Sequence, residues 1–205
     1  MIFRNVMRLV MPMVLLCAAA NADIIFNFDS DTLGTSTLFE DTVGGLSAKF
    51  SSSADPGGFV VYSSMFDTLT GNVLGDPGPA LADDLDLGVS FSGDLSAITL
   101  DFATADFITP SPFTITAYEN STLVGSVTST GQFISGFDFP EGAISFNGVF
   151  NNIVISSTAP DFAIDNIDVV RMVETPEPGT LSMFLAGLFL VLTSLLRRRK
   201  TAREQ

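Results

Sequence analysis

Period-two alternation of apolar and polar residues, in short runs broken by turn residues, is the feature that most restricts this chain. In "AITLDFATA", Ile98, Leu100 and Phe102 fall on one side and Thr99 and Asp101 on the other. "FTITAYE" repeats the pattern with Phe113, Ile115 and Ala117, and "LDLGVSF" with Leu85, Leu87, Val89 and Phe91. Successive side chains of a strand point to opposite faces, so such runs predict strands with one face buried. Further candidates are "DIIFNFD", "LSAKF", "GFVVYSS", "TLVGSVTST", "QFISGFDF", "AISFNGV", "NNIVISS" and "FAIDNIDVV". Clusters of Gly, Pro, Asp, Asn and Ser such as "ADPGG" and "GDPGPALADD" separate them. The expected fold of residues 23–171 is therefore all-β, a two-sheet antiparallel β-sandwich of jelly-roll-like type. The chain's 19 Phe, with its Ile, Leu and Val, supply a core for it.

Composition removes much chemistry. The chain has no His, no Trp and one cysteine, Cys17. Catalysis by Ser-His-Asp or Cys-His is excluded from residue 23 onward, as are zinc sites built on His or Cys. Between Asp23 and Thr180 the carboxylates outnumber the two cations, Lys49 and Arg171, by 20. A surface of that sign repels phosphate backbones, so nucleic acid is not an expected partner. A pair of carboxylates could still hydrolyse glycosides, but spacing in the sequence selects no such pair. The chain is not expected to be an enzyme.

Both ends carry addresses. "MIFRNVMRLVMPMVLLCAAANA" has Arg4 and Arg8 in a basic start, an apolar stretch from Leu9 to Ala20, and Ala20-Asn21-Ala22 as a small-x-small cleavage triplet. Residues 1–22 thus read as a signal peptide, with Asp23 as the first mature residue. A lipoprotein reading of Cys17 fails because Leu16 precedes it, where a small residue is needed. At the other end, "TPEPGTLSMFLAGLFLVLTSLLRRRK" joins a Pro/Glu/Gly segment to an uncharged run and four consecutive cations. The run from Leu181 to Leu196 is expected to form a transmembrane helix of about 24 Å, lengthened by its flanks toward the ~30 Å hydrocarbon core. Arg197, Arg198, Arg199 and Lys200 act as a stop-transfer cluster and place residues 197–205 in the cytoplasm, leaving the β domain outside the inner membrane. Residues 172–180 form the linker. Proline fixes φ and biases the preceding residue away from helix, so this linker should be extended.

Pro176-Glu177-Pro178-Gly179, the apolar helix and the Arg-rich end together resemble the PEP-CTERM sorting signal of Gram-negative bacteria. The resemblance covers about the last 30 residues and all three parts of the pattern. It implies handling by an exosortase, a membrane-embedded cysteine transpeptidase, in bacteria that make exopolysaccharide and biofilm matrix. The protein is then expected to pass from the inner membrane to the cell surface or matrix after processing. No Leu-Pro-x-Thr-Gly motif is present.

Asp-rich turns raise a metal question. "FDSDTLG" offers Asp29 and Asp31, "ADDLDLG" offers Asp83, Asp84 and Asp86, and "FAIDNID" offers Asp165, Asn166 and Asp168. Calcium takes six to eight oxygen ligands, and none of these turns completes an EF-hand. "FAIDNID" also resembles the closing strand of PEP-CTERM proteins and of carbohydrate-binding-type sandwiches. In the latter a terminal-strand acid joins first-strand residues around a structural Ca²⁺. That resemblance implies a site combining Asp29 or Asp31 with Asp165. The alternative is that Asp165 and Asn166 bond backbone groups of their own loop.

Sugar-binding platforms are commonly built on flat aromatic faces, and Tyr62 and Tyr118 are the chain's only Tyr residues. The expected function is that of a structural or adhesive component associated with exopolysaccharide. The alternatives are a calcium-stabilised carbohydrate-binding module or, third, a carboxylate-dependent glycosidase.

Overall fold

The computed structural model describes residues 24–53, 58–76, 85–172, 184, 185 and 187–189. Residues 1–172 and 173–205 form two separate units. The described part of the first unit consists of strands and their connections. In chain order these are β1 (Ile24–Phe26), β2 (Phe39–Val43), β3 (Leu46–Ser52), β4 (Val60–Ser63), β5 (Asn72–Gly75) and β6 (Leu87–Thr104). They continue with β7 (Pro112–Glu119), β8 (Thr122–Thr130), β9 (Gln132–Phe133), β10 (Pro140–Ser157) and β11 (Phe162–Arg171). The pairings are antiparallel.

The expected sandwich is present, but its two layers are hydrogen-bonded into one network through the 18-residue strands β6 and β10. The first half of β6 pairs with β3 and the second half with β11. β10 follows β6 along both halves and adds β7 beside its own second half. One layer thus runs β4-β5-β11-β6-β10, with β1 also on β11, and the other runs β2-β3-β6-β10-β7-β8.

The buried faces explain how a strand serves both layers. In β6 the buried residues Leu87, Val89, Phe91 and Leu95 have odd numbers, whereas Ile98, Leu100 and Phe102 have even ones. β10 changes from Ile144 and Phe150 to Ile153 and Ile155. The parity changes coincide with irregularities in the β6–β10 register between Asn147 and Asn152 and in the β6–β11 register near Leu95. A bulge of this kind bends a strand and lets it turn a corner between packed sheets. Rings then close the layers face to face. Phe102 stacks on Phe113 with centroids 4.2 Å apart, Phe113 meets Phe162 edge-on at 5.4 Å, and Phe26 lies 6.2 Å from Phe91.

One expectation is corrected. Among the described residues no helix is long and apolar enough to cross a membrane, contrary to the expected single-pass transmembrane helix over 181–196 and the inner-membrane anchoring built on it. Of this segment Phe184, Leu185 and Gly187–Phe189 are among the described residues, and they are helical. The signal-peptide residues, including Ala20 and Ala22, lie outside the described residues. So do the motif Pro176, Glu177, Pro178 and Gly179 and the cluster Arg197, Arg198, Arg199 and Lys200.

Candidate functional site

A cleft of about 200 Å³ opens where the end of β6, the starts of β10 and β11, and the ends of β4 and β5 come together. Its wall carries Tyr62 from β4, Asp76 directly after β5, Thr104 at the end of β6, Phe139 just before β10, and Asp161 just before β11. The loop between β4 and β5 adds Met65 and Phe66.

That loop is held by a buried acid. Glu141 is 3% exposed, and its carboxylate accepts the Asp67 N–H at 2.9 Å, the Thr68 N–H at 2.7 Å and the Thr68 hydroxyl at 2.5 Å. Within the loop the Ser64 N–H donates to the Gly71 carbonyl at 2.8 Å, and the Phe66 N–H donates to the Ser64 hydroxyl at 3.1 Å. Leu69 is fully buried in a small second core with Val73, Ala103 and Ala163, against which Tyr62 and Phe66 pack. A buried carboxylate is tolerated only when hydrogen bonds replace its water, and these three do so while fixing the cleft's lip.

Aromatic rings extend from the cleft onto the surface. Phe66 and Phe139 meet edge-on at 5.8 Å, and Phe139 meets Phe107 at 5.4 Å. Phe107 is 73% exposed and Ile108 90% exposed. Phe107 and Ile108, open beside the half-buried Phe66 and Phe139, form an apolar face that a ligand could cover.

The polar lining is acidic. Asp161 titrates above the usual carboxylate range, because burial disfavours its charge and Asp76 repels it. The Tyr62 phenol is also held well above its ordinary value, by burial and then by Asp161 and Asp76. Tyr62 is therefore a neutral hydroxyl in a cleft that it shares with two carboxylates, able to donate and to accept. Thr104 is 1% exposed, and its buried hydroxyl oxygen has no hydrogen-bond partner among the described residues. The two cations of the domain lie elsewhere, Lys49 on β3 and Arg171 on the Gly45 carbonyl.

The residues expected to hold calcium sit in another part of the fold. Asp165 is 1% exposed and pairs in register with Asp101 across β11 and β6. The Asn166 N–H donates to Asp165 Oδ1 at 2.8 Å, and Asn166 Nδ2 donates to Asp101 Oδ2 at 3.0 Å. Asn166 has φ +50°, at the register shift of β11. Asp29, not Asp31, is the first-segment acid that acts on Asp165. Asp29 Oδ1 accepts the Asn72 N–H at 2.9 Å beside Gly71, which has φ +77° and where a Cβ would fall 1.7 Å from that oxygen. Asp31 instead feels Asp41, and burial raises its proton affinity first. Among the described residues no group of three His, Cys, Asp or Glu side chains is arranged to hold a metal ion.

Burial, with Asp29 and Asp101 nearby, pushes the Asp165 carboxyl up to about 6, while hydrogen bonds from the Asn166 and Thr70 backbones act the other way. The folded chain thus holds this proton more tightly than the unfolded chain, so stability falls as pH rises from about 4 through about 6. At roughly 1.36 kcal/mol per unit, the loss is about 2–3 kcal/mol by pH 7. Thermal melts in EDTA should show this slope, and Asp165→Asn should flatten it. A calcium ion on Asp29 and Asp165 would instead raise the melting temperature at pH 7 when the metal is added.

The sequence pointed to Tyr62 but to none of the cleft's other members. Asp76 and Asp161 lie in turn clusters 85 positions apart, and only the β5–β11 pairing brings them together. Phe139 ended the candidate run "QFISGFDF", where it read as a strand residue, and Glu141, beyond Pro140, fell between candidate runs. Tyr118, the other aromatic candidate, lies on β7 opposite Asn152 and does not line the cleft.

No family model matches the chain. No characterised protein matches it by sequence. Solved structures that resemble it include the K2 cleaved adhesin domain of Lys-gingipain, at 14% identity and TM-score 0.49, covering 72% of this chain and 99% of that one. The K1 cleaved adhesin domain of Lys-gingipain from Porphyromonas gingivalis W83 aligns at 8% identity and TM-score 0.47, covering 74% and 99%. A family 11 carbohydrate-binding module from Clostridium thermocellum aligns at 14% identity and TM-score 0.37, covering 77% and 100%.

Proposed function

We propose that this protein is a non-catalytic adhesive domain that binds carbohydrate polymer in the cleft between Tyr62 and Phe139. The observation that carries the reading is the juxtaposition of half-buried rings, Tyr62, Phe66 and Phe139, with hydroxyl and carboxylate groups on one wall. Sugar rings present C–H faces to aromatic surfaces and hydroxyl edges to acceptors, and this cleft offers both. Association with exopolysaccharide, as a structural or adhesive component, follows as the role.

Affinity electrophoresis through gels containing neutral and aminated polysaccharides tests the binding. Migration of the protein should be retarded by at least one of them. Phe139→Ala should lose most of that retardation while keeping its melting temperature within a few degrees. Equal retardation of the variant would sink the reading. Incubation with the retarding polymer should release no new reducing ends; their release, lost in Asp161→Asn, would favour the glycosidase.

The resemblance of Pro176–Gly179 to a PEP-CTERM signal adds a second element, recognition of the tail by an exosortase-type transpeptidase. Intact mass of the protein from its native host should show a chain ending near that motif. A chain still ending at Gln205 would remove this element without touching the cleft.

A further inference from the structure

We propose that the ligand of the cleft carries a free ammonium group: an amino-sugar polymer rather than a neutral or uronic acid polymer. This deepens the binding reading above and rests on it.

Two features point to a cationic group, and one to a polar ligand contact beside it. Asp76 and Asp161 both line the cleft and both act on Tyr62, so two carboxylates and one phenol face a common space. A carboxylate only accepts hydrogen bonds, and an ammonium supplies three donors with a positive charge. Neither of the domain's two cations is among the residues that line the space. The ring faces add to this. Tyr62 and Phe139 line the same cleft as the acids, and a cation over a ring face is attracted by its quadrupole.

The second feature is Thr104. Its hydroxyl is buried in the wall and has no partner among the described residues, although buried polar atoms are nearly always satisfied. A ligand group able to donate or accept there would complete it. The third feature is the sign of the whole domain. An excess of 20 negative charges between Asp23 and Thr180 draws a polycation toward the surface and repels a uronic acid chain.

Isothermal titration of the full-length protein with three probes separates the possibilities: a glucosamine oligomer, its N-acetylated counterpart of equal length, and an oligomer of uronic acid. The free-amine oligomer is expected to bind at least tenfold more tightly than the acetylated one, with the uronic acid undetectable. The advantage should shrink with added salt and fall to within about twofold in Asp76→Asn/Asp161→Asn. That double variant should still bind the acetylated oligomer through the rings, which shows that it is folded. If the acetylated oligomer binds as tightly as the free amine, the ammonium proposal is overturned while carbohydrate binding stands. If none of the probes binds, and the gels of the preceding section also show no retardation, both readings fail together.

Discussion

Phe102→Ala is expected to lower the unfolding free energy by about 3–5 kcal/mol, the range for truncating a buried aromatic in a close-packed core. Whole domains are stable by only ~5–15 kcal/mol, so this variant should stand near the edge of folding. Phe102 is fully buried, and its ring is stacked within 6° of parallel on Phe113. Phe102 lies on the β6–β11 layer and Phe113 on the β7 layer, so the pair joins the two faces of the sandwich. The site has little room to collapse. Gly142 on β10 faces the same ring, and even a Cβ there would lie 3.0 Å from Phe102 Cζ. Urea denaturation of Phe102→Ala beside Phe107→Ala measures the difference. Phe107 is mostly exposed, and its truncation should change stability by less than about 0.5 kcal/mol. Similar costs for both would mean that the layers are not packed through Phe102.

The second large effect concerns Glu141. Its replacement by Ala should cost about 2–3 kcal/mol, because hydrogen bonds to a charged group are lost at two backbone N–H groups and one hydroxyl. The loss falls first on the loop from Ser64 to Gly71, whose other ties are its internal hydrogen bonds, the Thr70 backbone on Asp165 and the packing of Phe66 and Leu69. Met65 and Phe66 would then no longer be held at the lip of the cleft. Amide exchange at Asp67 and Thr68 should accelerate by a larger factor than exchange in β7, far along the sheet. Binding to the retarding polysaccharide should weaken with it. Uniform acceleration across the sheet would show instead that Glu141 supports the fold as a whole.

Alternation in the sequence was sufficient for most strands because each has one wet face. It divided β6 and β10 into two strands each, for a physical reason. Gly93-Asp94 and Asn147-Gly148 have the composition of turns, and the buried face changes parity nearby, yet the chain continues through bulges. β2 was not recognised because "FEDTV" is acidic and only half-buried at an edge, paired with β3 alone. β5 has four residues, the last of them Gly75, too short to show a period. "QFISGFDF" reduced to two paired residues, since Gly136 turns the chain at φ +98°. The cleft was less legible than the fold. Its residues come from five separate connections or strand ends, and sheet order alone sets which ones meet. The buried role of Asp165 in the closing strand was half visible, since Asn166 at a left-handed position is a known device of local backbone bonding.

The most direct test of the cleft as a carbohydrate site is a titration of the ¹⁵N-labelled protein with the glucosamine oligomer, followed by amide chemical shifts. The binding reading predicts that the shifted amides cluster at Tyr62, Phe66, Thr104, Phe139 and Asp161, with Tyr118 and the rest of β7 unmoved. Saturable shifts confined to another face, or none at millimolar oligomer, would contradict it.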